Sequence, residues 1–223
     1  MQIFGLSKDP TAGVYEMYDC HVGNAKLATE ACELLYGRAY SMGADWLSKP
    51  VPGPDGQTFE SWKGVSKGHA KHPCFYWVCA DEHHAWWTLQ HALAICKEYT
   101  ARNQTPGKVC RTEYHLRHIL AHTDPPAADC TFKVSNFETF VSNLLPDDPN
   151  KVAELVSKAC TVNPPDGCVF GILACDLTYA LNTDNGLDWV ASYRKYYSSK
   201  VNTFKDSDKS CKRKRCDYVF QCS

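Results

Sequence analysis

Several groups of side chains stand at spacings that could do chemistry. Asp19 and His21, in Asp19-Cys20-His21-Val22, set a carboxylate two residues from an imidazole, a pair able to fix a tautomer or raise basicity for proton transfer. Glu98 and Arg102 are four residues apart, the acid N-terminal, so on a helix they share a face and can pair. His72 and Cys74 flank Pro73, a natural first helical residue, so Cys74 falls in a first turn, where amide groups and the helix dipole lower a thiol's pKa. That is the outline of a nucleophile and its base. His115, His118 and His122 stand at i, i+3 and i+7 on one helix face, suited to a metal or to phosphate, although Lys108, Arg111 and Arg117 oppose a cation there. His69, His72, Cys74 and Cys79 are zinc-type ligands, but on a helix the two thiols diverge by about 140°. Tyr193 to Tyr197, with Lys200 after it, interleaves rings and cations, which suits stacking on bases and packing in the fold equally. Each group also has a plainer use: Asp19 as a helix cap, the thiol as a packed core residue, the histidines as a solvated basic face.

Hydrophobic periodicity indicates the elements that must position these groups. Leu27, Ala31, Leu34 and Leu35 predict a helix over 24–35, with Gly37 as its stop. No Gly or Pro interrupts the chain between Pro73 and Pro106, which predicts one long helix from Pro73 to Arg102. Along it Trp77, His84, His91 and Glu98 recur every seven residues, an aromatic stripe that carries three polar side chains. Further helices are expected over 112–122, 149–160 and 187–201, and a short strand over Gln2–Leu6. Residues 43–71 hold five Gly and three Pro and read as a long loop or lid. The expected fold is mainly α: a single irregular helical bundle around a long central helix, with at most a short N-terminal strand. It would occupy 1–204, followed by a basic, cysteine-containing tail over 205–223.

Composition bounds the classes. With 223 residues, 44% hydrophobic and 22% charged, the chain can bury a core, which argues against disorder, coiled coil and collagen. No apolar run approaches the roughly 18 residues of a membrane span, and the opening MQIFGLSKDP has no signal-peptide pattern. These features predict a soluble, intracellular, non-secreted protein without a membrane partner. Thirteen cysteines, an odd number, are then expected to be mostly reduced. The net charge of −1 is uneven: six basic and two acidic residues between Lys205 and Cys216 give +4, so the remainder carries −5. The run Lys212 to Arg215 would attract a polyanion.

Taken together, several segments resemble an uncharacterised family of proteins encoded by tailed phages and related viruses. The family opens with a short strand ending in Asp-Pro, here Ile3 to Pro10, then an Asp-x-His-Val element, here Asp19 to Val22, and a Lys-x-x-x-Glu helix, here Lys26 and Glu30. Its central His-Pro-Cys-x-x-Trp element is His72, Pro73, Cys74 and Trp77. His84 stands where the family has Asn, Trp87 follows, and Glu-Tyr-x-x-Arg is Glu98, Tyr99 and Arg102. Where the family shows Gly-Lys-x-His this chain has Gly107-Lys108-Val109-Cys110, and Tyr-Arg-x-Tyr-Tyr matches Tyr193 to Tyr197. The resemblance implies a single domain in a viral setting, in the host cytoplasm, and by association a role in DNA or nucleotide metabolism.

The leading functional expectation is a helical protein acting on DNA, RNA or a nucleotide, with base modification or base excision as the reaction it would serve. Asp19, His21, His72 and Glu98 are the candidate catalytic residues. Lys26, Glu30, His84, Tyr99, Arg102, Tyr193, Arg194 and Tyr197 are the candidate ligand-binding residues, with no metal and no cofactor assigned. The rivals are a non-catalytic binding or virion-associated protein, in which the same groups satisfy one another, and a metal-dependent hydrolase.

Overall fold

A computed structural model describes residue 3 and residues 5–23, 25–65, 69–103, 110–127, 133–159, 171–174, 177–183 and 186–200. The basic segment 205–223 lies outside them. Mainly helical structure follows from the periodicity: α1 (Asp19–Val22), α2 (Lys26–Ser41), α3 (Pro73–Ala80), α4 (Glu82–Asn103), α5 (Arg111–Leu120), α6 (Val134–Leu144), α7 (Pro149–Ser157) and α8 (Trp189–Ser199). Short 3-10 turns and two short antiparallel ribbons join them, β1 (Val51–Pro52) with β2 (Thr58–Phe59), and β3 (Asn182–Thr183) with β4 (Gly186–Leu187). No helix among the described residues is long and apolar enough to cross a membrane.

Helices α2 and α4 form the central pair, and α3 and α5 pack against both. The single helix expected over Pro73–Arg102 is divided at Asp81, whose backbone is extended (φ −154°, ψ 150°). The cause is local: the Asp81 carboxylate accepts the His83 amide N–H at 2.7 Å, capping α4 and ending α3. The aromatic stripe survives the break. The His84 ring stacks on Trp77 with centroids 4.4 Å apart, and His91 on Trp87 at 4.8 Å.

Helix α2 continues through Gly37 to Ser41, six residues beyond the expected range. Gly37 is there for close approach: a Cβ would lie 2.8 Å from Phe75 Cε2 and 2.9 Å from Val65 Cβ. Chain reversal comes instead at Gly43, with φ +66°. The expected 43–71 loop contains the β1–β2 ribbon and an aromatic patch that closes on α5. Trp46 stacks on His122, and Trp62 meets His115 edge-on at 5.0 Å. Helix α6 was not foreseen from the sequence, although Val134, Phe137 and Val141 have helical spacing; Phe137 and Val141 are fully buried. The described residues of the expected N-terminal strand, Ile3, Gly5 and Leu6, pair in no ladder.

The N-terminal segment is nevertheless fixed to α4. Trp87 Nε1–H donates to the Lys8 carbonyl at 2.8 Å and His91 Nδ1–H to the Pro10 carbonyl at 2.6 Å. Helix α8 starts at the Asp188 cap and sends Trp189 between two glycines. A Cβ on either Gly5 or Gly171 would run into the Trp189 ring. The indole therefore fills space that exists only because both neighbours lack a side chain. Gly171→Ala should lower the melting temperature by about 3–10 °C, the cost of overpacking in a chain of this size, as read by differential scanning fluorimetry. An unchanged melting temperature would show that the indole can move aside.

Candidate functional site

Two of the candidates, Asp19 on α1 and Glu98 on α4, come together around Arg102. Its Nε–H donates to Glu98 at 2.8 Å, its Nη1 to Asp19 at 2.8 Å and its Nη2 to the Tyr15 carbonyl at 3.2 Å. The three side chains are enclosed, with exposures of 4% for Arg102, 6% for Glu98 and 12% for Asp19. The i, i+4 spacing brings Glu98 and Arg102 together, while Asp19 arrives from 83 positions away along the chain. Burial strengthens each contact because water no longer competes for the charges.

Beside this network sits the His21–Tyr197 couple. The Tyr18 amide N–H donates to the Tyr197 hydroxyl at 2.6 Å, and that hydroxyl lies 3.0 Å from His21 Nδ1. Burial, and then the positive charge of Lys26, hold the His21 pKa down to about 4. Burial pushes the Tyr197 phenol up. His21 is therefore a neutral ring near pH 7, in contact with a protonated phenol.

The other candidates spread along α2 and beyond. Glu30 belongs to the surroundings of Cys74, and Glu33 meets His69 Nδ1 at 3.0 Å. His72 caps α3, its Nδ1 accepting the Cys74 amide N–H at 3.2 Å, and burial holds its pKa down to about 4, helped by His69, Lys158 and Lys151. The expected activation of Cys74 is reversed. The thiol is fully buried, and desolvation outweighs the helix start, pushing its pKa up to about 12. Cys79 is likewise pushed up, to about 11.

His84 is wholly enclosed and donates Nδ1–H to the Trp77 carbonyl at 2.9 Å, a core position rather than a ligand contact. Tyr99 is half-buried, and its carbonyl accepts from Asn103 at 2.9 Å. Tyr193 donates its hydroxyl proton to the Ile172 carbonyl at 2.8 Å and accepts the Ala174 amide N–H at 3.0 Å, pinning residues 172–174. Arg194 grips Glu16 through both Nη atoms at 2.8 Å and the Leu6 carbonyl through Nε at 2.8 Å. The Tyr-Arg-x-Tyr-Tyr helix thus fastens three separate parts of the chain.

His115, His118 and His122 do not converge on one point. His115 sits against Tyr36, Phe59 and Trp62, while Trp46 meets His118 edge-on and stacks on His122. Among the described residues no group of three or more His, Cys, Asp or Glu side chains is arranged to hold a metal. Cys32, Cys74, Cys79, Cys96 and Cys110 carry free thiols, whereas Cys20 is disulfide-bonded. Cys110 is the start of α5, and the hydrogen bond from the Cys96 thiol, opposed by burial, lowers its pKa.

One edge of the Arg102 network opens. Glu98 borders a groove of about 990 Å³ between residues 11–15, the outer face of α4, and α5. Tyr15, 48% exposed, stands at this groove while its carbonyl is held by Arg102. Lys97 lines it and has no ion-pair partner among the described residues. Arg117 lines it too, paired with Glu113 at 2.6 Å. Tyr15 and Lys97 were missed by the sequence reading; the only available signal was that Lys97 adjoins Glu98.

No protein-family model matches the chain, and no curated protein or solved structure matches it significantly.

Burial of neutral histidines sets a pH dependence. His21, His72, His84, His91 and His115 are all lowered from 6.5 to about 4, chiefly by desolvation. Between those limits the unfolded chain binds more protons than the folded one, so stability is complete above pH 6.5 and falls as the pH drops toward 4. Urea midpoints at pH 7.5, 6, 5 and 4.5 should decline in that order. A midpoint constant from pH 7.5 to 5 would mean that these rings are not held neutral.

Proposed function

We propose that the groove beside Glu98 binds a nucleotide or a single-stranded nucleic acid. Tyr15 supplies the stacking face, and Lys97 and Arg117 supply the phosphate contacts. The observation that carries this reading is the tie between Arg102 and the Tyr15 backbone, because one buried cation anchors both the chain that bears the exposed ring and the carboxylate at the groove edge. An aromatic face is worth about 1–3 kcal/mol per stacked base, and a free lysine adds salt-dependent attraction to phosphate. The resemblance to a viral family supports the same ligand class by association alone.

The closure of the network supports binding over catalysis. Asp19 and Glu98 both pair with Arg102, and His21 shares the Tyr197 hydroxyl, so the groups with the strongest catalytic character already serve one another. Base modification or excision would require Glu98 to act on a base from the groove edge. A turnover readout in the same assay separates this second reading from the first.

The test is fluorescence anisotropy with labelled single-stranded DNA and RNA oligonucleotides over a range of salt. Tyr15→Ala and Lys97→Glu should each weaken binding by about tenfold with little change in melting temperature. Arg102→Met should lower the melting temperature by about 10 °C, since it removes the cation that two enclosed carboxylates share. Equal affinity for wild type and both groove variants, or no binding by wild type at low salt, would rule the groove out.

A further inference from the structure

A separate pocket of about 430 Å³ opens between the second half of α2, the start of α4, the end of α5 and residues 123–127. Leu35, Met42, Trp46 and Pro126 give it apolar walls, and Arg38, Glu82 and Asp124 bring charge to it. The three charged side chains neither pair with one another nor hydrogen-bond to other side chains among the described residues. Arg38 is the most telling, because its Nε is buried without a hydrogen-bond partner while its charge sits at the pocket wall. A guanidinium without a counter-charge at a pocket wall favours a ligand that supplies one, met by the Nη atoms, since Nε itself is enclosed by protein.

The rest of the pocket is set in place. His83 donates from Nε2 to the Ala127 carbonyl at 2.8 Å and holds Asp81 through Nδ1 at 2.8 Å, fastening the 123–127 wall to the start of α4. The Thr123 hydroxyl donates to the Ile119 carbonyl at 2.9 Å. His122, stacked on Trp46, gives its Nδ1–H to the His118 carbonyl at 2.8 Å, which leaves Nε2 as its remaining polar atom.

We propose that this pocket binds a small zwitterion of the free amino acid class. Its carboxylate would meet Arg38, and its ammonium would meet Glu82, Asp124 and the His122 Nε2. Its apolar side chain would lie against Leu35, Met42 and Trp46. A simple anion would face two carboxylates, and a simple cation would face the guanidinium. Only a ligand carrying both charges complements a wall where opposite charges are held apart. The volume lies in the range of small-molecule sites, about 300–1,000 Å³. This assignment is independent of the groove at Tyr15.

Isothermal titration calorimetry of the full chain with a panel of apolar and aromatic L-amino acids tests it. N-acetyl-L-leucine, L-leucine amide and acetate serve as single-charge controls. At least one free amino acid should bind, and blocking either its amino or its carboxyl group should weaken binding by about tenfold or more. Arg38→Met should abolish binding, and the double variant Glu82→Gln with Asp124→Asn should weaken it about tenfold. Both carboxylates are on the exposed surface, so the double variant carries the test alone if Arg38→Met does not fold. The assignment is overturned by no saturable heat up to about 10 mM of any amino acid in the panel. Equal binding of acetate or of a blocked analogue, or unchanged affinity in a folded variant, overturns it as well.

Discussion

A single guanidinium buried between two carboxylates ties α1 and the chain before it to the end of α4. Arg102 draws α1 onto the end of α4 through Asp19 and keeps Glu98 oriented along its own helix. Through the Tyr15 carbonyl it also sets the path of the chain before α1. Tyr197 then adds α8 to the same corner by accepting the Tyr18 amide and meeting His21. A buried ion set of this kind contributes little net stability over a well-packed apolar replacement. Its effect lies in directing the fold, because any register that separates these helices breaks charge-assisted hydrogen bonds in an enclosed place.

The same economy governs the histidines. His84 and His91 each lie flat on a tryptophan and donate Nδ1–H to a backbone carbonyl, so each is a polar ring with an apolar role. His115 is likewise enclosed by rings from the 43–71 segment. Imidazoles in such places are neutral, and their cost appears only in acid. Frequent histidine in this chain is thus a property of its aromatic core and does not by itself mark a reactive centre.

The groove and the pocket are two openings among the described residues where some charge is not consumed internally. The groove at Tyr15 adjoins the Arg102 network and inherits its rigidity from it. The pocket at Arg38 stands on the other feature of the fold, the long α2 carried past Gly37, without which Arg38 would not reach that wall. Both owe their shape to helix ends and short connecting segments, where backbone direction changes and side chains are not matched by a neighbouring turn.

Local regularities in the sequence determined the helical class, the pairing of Glu98 with Arg102 and the seven-residue aromatic stripe. These depend on a 3.6-residue period and on interactions within one or two turns, so they are legible without knowing what packs where. The break at Asp81 was legible in principle, as an aspartate two residues before an amide it can cap, but the continuous apolar stripe masked it. Tertiary structure alone decided that Asp19 joins Arg102, that Cys74 is buried rather than reactive, that His84 is core and that Tyr15 and Lys97 share a groove. Each of these depends on which surfaces meet across many residues of chain. Desolvation, which inverted the expected behaviour of Cys74 and neutralised His21, exists only once those surfaces have closed.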